Sequence, residues 1–165
     1  METALKETLL DFLKTNARAS VEDIAKAINA TPQEVAAQID AWERDGTILG
    51  YQTVFDPEKL PRTSCVEAVI EVKITPERDG GFDRLASRIS KFEEVRNCYL
   101  MSGGYDLLIV VQGDTLQAVA RFVAEKLSTI KGVLSTATHF RLKSYKENGM
   151  LLQREPKPER LAVTP

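Results

Sequence analysis

The stretch SVEDIAKAINATPQEVAAQIDAWERDG, residues 20–46, decides how the first part of the chain folds. Val21, Ile24, Ala25 and Ile28 recur at helical spacing behind Ser20. The Ser20 hydroxyl can accept from first-turn amides, and Asp23 sits at the positive helix end. Asn29-Ala30 makes a tight turn. Thr31 then caps a second helix, Pro32 takes the first helical position, and Glu34 completes a capping box. Val35, Ile39 and Trp42 face inward, and Asp45-Gly46 stops the helix. Two short helices joined by a tight turn predict a helix-turn-helix.

Upstream, Leu5, Leu9, Phe12 and Leu13 give another helix its apolar stripe, ended by the polar run 15–18. Downstream, residues 48–55 (ILGYQTVF) are rich in strand formers and fit a wing strand or a link to the next domain. Residues 1–56 therefore read as a winged helix-turn-helix DNA-binding domain, or as a small helical cap with no DNA role.

In such a motif the second helix enters the major groove of double-stranded DNA. Thr31 starts that helix, and Gln33, Glu34, Ala37, Gln38 and Ala41 face outward. Gln can pair with adenine, and Glu can accept from cytosine. Arg18, Lys14, Lys26 and Arg44 are the available cations.

The charge balance opposes a simple DNA reader. Of 22 Lys+Arg and 24 Asp+Glu in 165 residues, residues 1–60 hold 6 and 11, a balance of −5. Residues 61–165 hold 16 and 13, a balance of +3. Phosphate neutralisation normally supplies most DNA affinity, so each acidic first domain is expected to bind weakly and to need several copies acting together.

After a linker at 57–64, residues 65–147 read as strand–helix–strand–strand–helix–strand. Val66, Ala68, Ile70, Val72 and Ile74 alternate with polar residues in a first strand. Phe82, Leu85, Ala86, Ile89 and Phe92 form a helix stripe, and 95–102 a second strand. Gly103-Gly104 suits a two-residue primed hairpin turn, leading to a strand over 105–112. Asp114 is expected to cap a helix with stripe Leu116, Val119, Ala120, Val123 and Leu127, and a long strand is expected over 133–145. The fold class is α+β, a winged helix-turn-helix followed by a ferredoxin-like βαββαβ domain. Two helices cover one sheet face. The other invites back-to-back pairing with a second copy. Residues 148–165, Pro-rich and charged, read as a mobile tail.

No run of apolar residues is long enough for a membrane helix, and the N-terminus lacks a secretory pattern. Two cysteines, Cys65 and Cys98, suit buried thiols in a reducing cytoplasm. No catalytic set, metal-ligand spacing or cofactor motif is recognisable. The single histidine, His139, reads as a cross-strand or interface residue.

Together these residues resemble the Lrp/AsnC (feast/famine) family of transcriptional regulators. The carrying stretches are 17–60, 98–112 and 130–146. Gly46, Ile48, Gly50 and Tyr51 match the family's G-x-I-x-G-Y ending, and Gly103, Tyr105 and Asp106 its G-x-Y-D turn. Gln38 stands where the family commonly has Arg, and Trp42 where it has Leu. The resemblance implies homodimers assembling to tetramers or octamers, and a small effector, often an amino acid, held between sensing domains. By position, Gly103, Gly104, Tyr105 and Asp106 would line that site, with Thr136 and Thr138 as further candidates. A plain hairpin with Asp106 satisfied locally is the alternative for the turn. Two other functions share this layout: a non-DNA-binding partner of other family members, and a sirohaem-decarboxylase-like enzyme.

Overall fold

A computed structural model describes residues 2–56, 59–60, 65–76 and 81–152. The chain divides between Thr53 and Val54 into two compact units.

The first unit is three helices, α1 (Thr3–Thr15), α2 (Val21–Ile28) and α3 (Pro32–Asp45). Their caps form as the sequence predicts. Ser20 Oγ accepts from the Asp23 amide at 3.1 Å. Asn29 ends α2 in the left-handed region (φ 56°), a conformation Asn tolerates better than most residues. Gly46 ends α3 the same way (φ 79°). Leu9, Leu13, Ile24, Ala25, Ile28, Val35 and Trp42 close the core.

The wing strand does not form. Residues 47–56 carry no strand, because an extended segment needs a neighbour to bond with and none pairs with it among the described residues. Leu49 and Phe55 stay exposed, Leu49 at 95%.

The second unit has β1 (Val66–Ile74), α4 (Asp83–Ile89), β2 (Val95–Leu100), β3 (Leu107–Gly113), α5 (Leu116–Arg121) and β4 (Val133–Phe140). The sheet order is β2-β3-β1-β4, with antiparallel neighbours throughout, which is the ferredoxin-like arrangement. Ala68, Ile70, Val72, Ile74, Leu107, Ile109 and Val111 line one sheet face and pack against Leu85, Ile89, Val119, Phe122, Leu127 and Ile130.

Several local expectations are corrected. Thr115, not Asp114, caps α5, its Oγ1 accepting from the Ala118 amide at 3.1 Å. Helix α5 runs on as a π-helix over Phe122–Leu127. The wider turn puts Phe122 and Leu127, five residues apart, on the inward side with Val119 and the half-buried Val123, while Leu116 and Ala120 are exposed. Strand β4 stops at Phe140, which pairs with Ala68, two residues inside the start of β1 at Val66, and the Arg141 amide makes one further bond to the Glu67 carbonyl.

The β2–β3 connection is not a two-residue primed turn. It spans 101–106, closed by the Met101 amide on the Asp106 carbonyl at 2.8 Å. Of the two glycines only Gly103 has positive φ (149°), so the geometry that a primed turn demands is missing. Residues 148–152, expected in a tail, instead complete a hairpin of β5 (Lys146–Glu147) and β6 (Met150–Leu151). Asn148 (φ 44°) and Gly149 (φ 83°) make its turn. The tail beyond 152 lies outside the described residues.

Candidate nucleic-acid interface and effector site

Helix α3 presents one face to solvent. The 100° step between residues groups Gln33, Glu34, Ala37, Gln38 and Ala41 opposite the inward Val35, Ile39 and Trp42. Gln33, Glu34 and Ala37 are exposed, and Gln38 and Ala41 are half-buried.

Two of the predicted contact residues are tied to each other. The Thr31 hydroxyl donates to Glu34 Oε2 at 2.7 Å, and the Thr31 amide donates to the same oxygen at 3.1 Å. The Glu34 amide returns a bond to Thr31 Oγ1 at 3.3 Å. Hydrogen bonding from the Thr31 hydroxyl, then from its amide, holds the Glu34 carboxyl below its ordinary range. Glu34 is therefore a fixed negative charge at the helix start, where the helix dipole favours it.

The cations are scattered. Arg44 turns back on its own helix, Nε donating to the Asp40 carbonyl at 3.1 Å. Lys14 pairs with Asp11 at 2.7 Å. Arg18 is exposed in the turn before α2 and makes no ion pair among the described residues. The structure thus brings Gln33, Ala37 and Gln38 together on the side of α3 away from its core, and the one cation of that helix, Arg44, lies on the same side in its last turn.

Tyr51 was legible only as part of a family signature. Its hydroxyl donates to Glu43 Oε1 at 3.0 Å, which ties the extended segment to the end of α3. Burial, then the Glu43 bond, pushes the Tyr51 hydroxyl pKa up.

In the second unit, Gly103 and Gly104 are exposed, and a Cβ on either would meet nothing within 4 Å. Tyr105 and Asp106 are half-buried. Asp106 Oδ2 accepts from the Ile74 amide at 2.8 Å, and the Asp106 amide donates to the Val72 carbonyl at 3.0 Å. The turn is thereby pinned to the end of β1.

Thr136 pairs with Val72, which pairs with Leu107 next to Asp106. Thr136 and the glycine turn therefore share one end of the sheet, two strand spacings or roughly 10 Å apart. Thr138 pairs with Ile70, farther from that end. Both threonines are half-buried on the helix-covered face.

No helix covers the opposite sheet face among the described residues. Tyr99 pairs with Leu108, and Val110 lies between Asn97 and Val69. His139 lies on this face beside Glu71, Nε2 to Oε1 3.5 Å. Arg141 bridges Glu67 at 2.8 Å and Glu147 at 3.1 Å. Cys98 lies on the other face, and burial pushes its thiol pKa up.

Known proteins share both halves of this geometry. The Lrp/AsnC ligand binding domain matches residues 67–151. Over 166 residues the chain is 43% identical to the uncharacterized HTH-type transcriptional regulator YugG of Bacillus subtilis, covering 100% of each. The chain belongs to the Lrp/AsnC family of transcriptional regulators. Its fold agrees with solved Lrp/AsnC structures. A transcriptional regulator from Neisseria meningitidis, crystallised as a complex with L-Met, has TM-score 0.69 at 22% identity, covering 89% of this chain and 94% of that one. Escherichia coli AsnC has TM-score 0.65 at 22% identity, covering 96% and 99%. Among the described residues no helix is long and apolar enough to cross a membrane, and no cluster of His, Cys, Asp and Glu could hold a metal ion.

Proposed function

We propose that this Lrp/AsnC regulator reads double-stranded DNA with the outward face of α3 and responds to an amino acid bound at the β2–β3 turn. The observation that carries the DNA reading is α3 itself: a helix with a complete capping box whose outward side offers Gln33 and Gln38. Residues 1–56 serve as the DNA-binding domain, 57–64 as linker, and 65–147 as the sensing and assembly domain. Thr31 and Glu34 set the start of the reading helix, while Ala37 leaves room for a base edge. Arg18 and Arg44 are the phosphate contacts this unit has to offer.

Support for an amino-acid effector comes from the Neisseria meningitidis relative, which binds L-Met. In this chain the open glycines offer backbone amides to a carboxylate, and Asp106 offers charge to an ammonium. Tyr105, Thr136 and Thr138 complete the candidate lining. The uncovered sheet face pairs with a second copy, and dimers assemble further to tetramers or octamers in the cytoplasm. No cofactor and no catalytic step are assigned: His139 is an interface residue beside Glu71.

The acidic balance of residues 1–60 favours one second reading, a sensing partner that modulates other family members without touching DNA. Gel shift of the intact chain on the DNA upstream of its own gene, at low and moderate salt, separates the two. Sequence-selective retardation that Gln33→Ala with Gln38→Ala abolishes supports the regulator. Retardation nowhere, even in dilute buffer, leaves only the sensing module.

A further inference from the structure

Helix α3 carries a single cation, Arg44, and a denser group of cations lies in the second unit. A pocket of about 610 Å³ in the second unit is lined by Arg84, Leu85, Ser87, Arg88, Lys91 and Lys131. Arg84, Ser87 and Arg88 come from α4, Lys91 from just past its end, and Lys131 from the turn before β4. The other side of α4 is committed to the core through Leu85 and Ile89. Among the described residues four cations line the pocket, and no carboxylate does. Asp83 and Glu93 are close in sequence but are not part of the lining.

Arg84 is already engaged by another group. Arg88, Lys91 and Lys131 are exposed and make no ion pair among the described residues. Lys126, by contrast, is neutralised by Glu94 at 2.5 Å. Like charges four apart on a helix repel, so Arg84 and Arg88 do not stabilise α4 through each other. The chemistry is that of a surface for phosphate: the Arg88 guanidinium, the Lys91 and Lys131 ammonium groups and the Ser87 hydroxyl line one pocket, with no acid in the lining among the described residues.

We infer that this α4 face is a second DNA-contacting surface, one that binds backbone phosphates and supplies the sequence-independent affinity the acidic first unit cannot. The inference rests on the chain binding duplex DNA at all. Phosphate contacts set affinity and salt dependence but carry no sequence information. A regulator can therefore divide the two tasks, with base reading on α3 and charge on α4.

The test is the salt dependence of duplex binding by the intact chain, compared with an Arg88→Gln/Lys91→Gln/Lys131→Gln variant. All three side chains are exposed, so the core is untouched; circular dichroism and oligomer size confirm this. Each phosphate contact contributes about 0.9 to the slope of log K against log salt. Losing three lowers the slope by about 2.7 per engaged protomer. Between about 50 and 200 mM salt the parent then loses about forty-fold more affinity than the variant. The loss at low salt is the same on upstream and random duplex, so the specificity ratio holds.

An unchanged slope overturns the inference while leaving α3 as reader. A second arm titrates pyrophosphate by calorimetry. If the variant loses pyrophosphate binding but keeps the parental slope, the pocket is a small-anion site, and the duplex assignment is wrong. A parent chain that retards no duplex overturns this inference and the regulator reading together, and the silent parent makes that case recognisable.

Discussion

Replacing Thr31 with alanine tests whether the capping box fixes the reading helix. Thr31→Ala removes the acceptor for the Glu34 amide and the shorter of the two bonds to Glu34 Oε2, while the backbone amide at position 31 still reaches that carboxylate. Loss of an N-cap hydroxyl costs about 1 kcal/mol. For a unit this small that amounts to a fall in melting temperature of about 4–8 °C. With m near about 1 kcal/mol/M, the urea midpoint falls by about 1 M.

The chain supplies its own reporter. Its single tryptophan, Trp42, is buried on α3 in the first unit's core, so indole fluorescence follows that unit alone. Glu34→Gln adds a pH arm. The Glu34 carboxyl titrates below its ordinary value in the folded state, so its contribution is present above the ordinary carboxylate range and disappears as pH falls through the folded value. The gap between parent and Glu34→Gln should therefore close in acid. The double variant should lose less than the sum of the singles, because the two residues share one box. A Trp42 midpoint that ignores Thr31→Ala, or a Glu34→Gln gap that ignores pH, refutes the box as the element that sets α3.

Three further outcomes are expected. Asp106→Ala leaves the Ile74 amide without its acceptor and destabilises the second unit by about 1–3 kcal/mol, whereas Asp106→Asn keeps an acceptor and spares the fold; both weaken amino-acid binding by calorimetry, and a panel that binds Asp106→Asn unchanged removes Asp106 from the effector site. Phe122→Ala takes away the ring stacked edge-on against Phe92 at 5.5 Å and costs about 3–5 kcal/mol, read by circular dichroism melting of the second unit with the Trp42 transition unmoved. Val110→Glu puts a charge in the middle of the uncovered sheet face and should shift light-scattering mass to the monomer; an unaltered mass means that assembly uses another surface.

How much of this was legible in the sequence depends on how local the governing physics is. The caps at Ser20 and Thr31 and the αL exit at Gly46 were readable because each is decided within a turn of helix. The buried alternation of β1 was readable because its period is the strand's own. The misses are mostly non-local. Nothing near residues 141–145 says that β4 ends at Phe140; that is decided where its pairing with β1, a segment distant in sequence, stops. Phe122 joins Val119, Val123 and Leu127 in the inward stripe while Ala120 is left exposed, because a π turn changes the period midway. The Asn148-Gly149 hairpin is local, and Asn-Gly is a strong short-range hairpin signal, but the charged, proline-bearing residues that follow mask it in the composition of 148–165. On the candidate sites, the sequence could point to α3 and to the G-x-Y-D turn. It could also foresee the capping box that ties Glu34 to Thr31, but it could not tell that Asp106 is bonded to β1.

That last bond decides what the turn can do. Under the proposed reading, Asp106 must hold an ammonium, yet one of its oxygens already accepts from the Ile74 amide. A carboxylate has room for both, since its two oxygens together offer about four acceptor positions. The bond to β1 then serves recognition, because it fixes the carboxylate before the ligand arrives and reduces the ordering that binding requires. It also connects the turn to β1, the strand that pairs with β4 and whose uncovered side carries Val69 and Glu71. An effector that draws on Asp106 therefore acts on the same strand that contributes to the proposed assembly surface. Coupling between ligand and oligomer then needs no element beyond β1, and the Asp106→Asn variant should weaken both the binding and its effect on assembly in the same proportion.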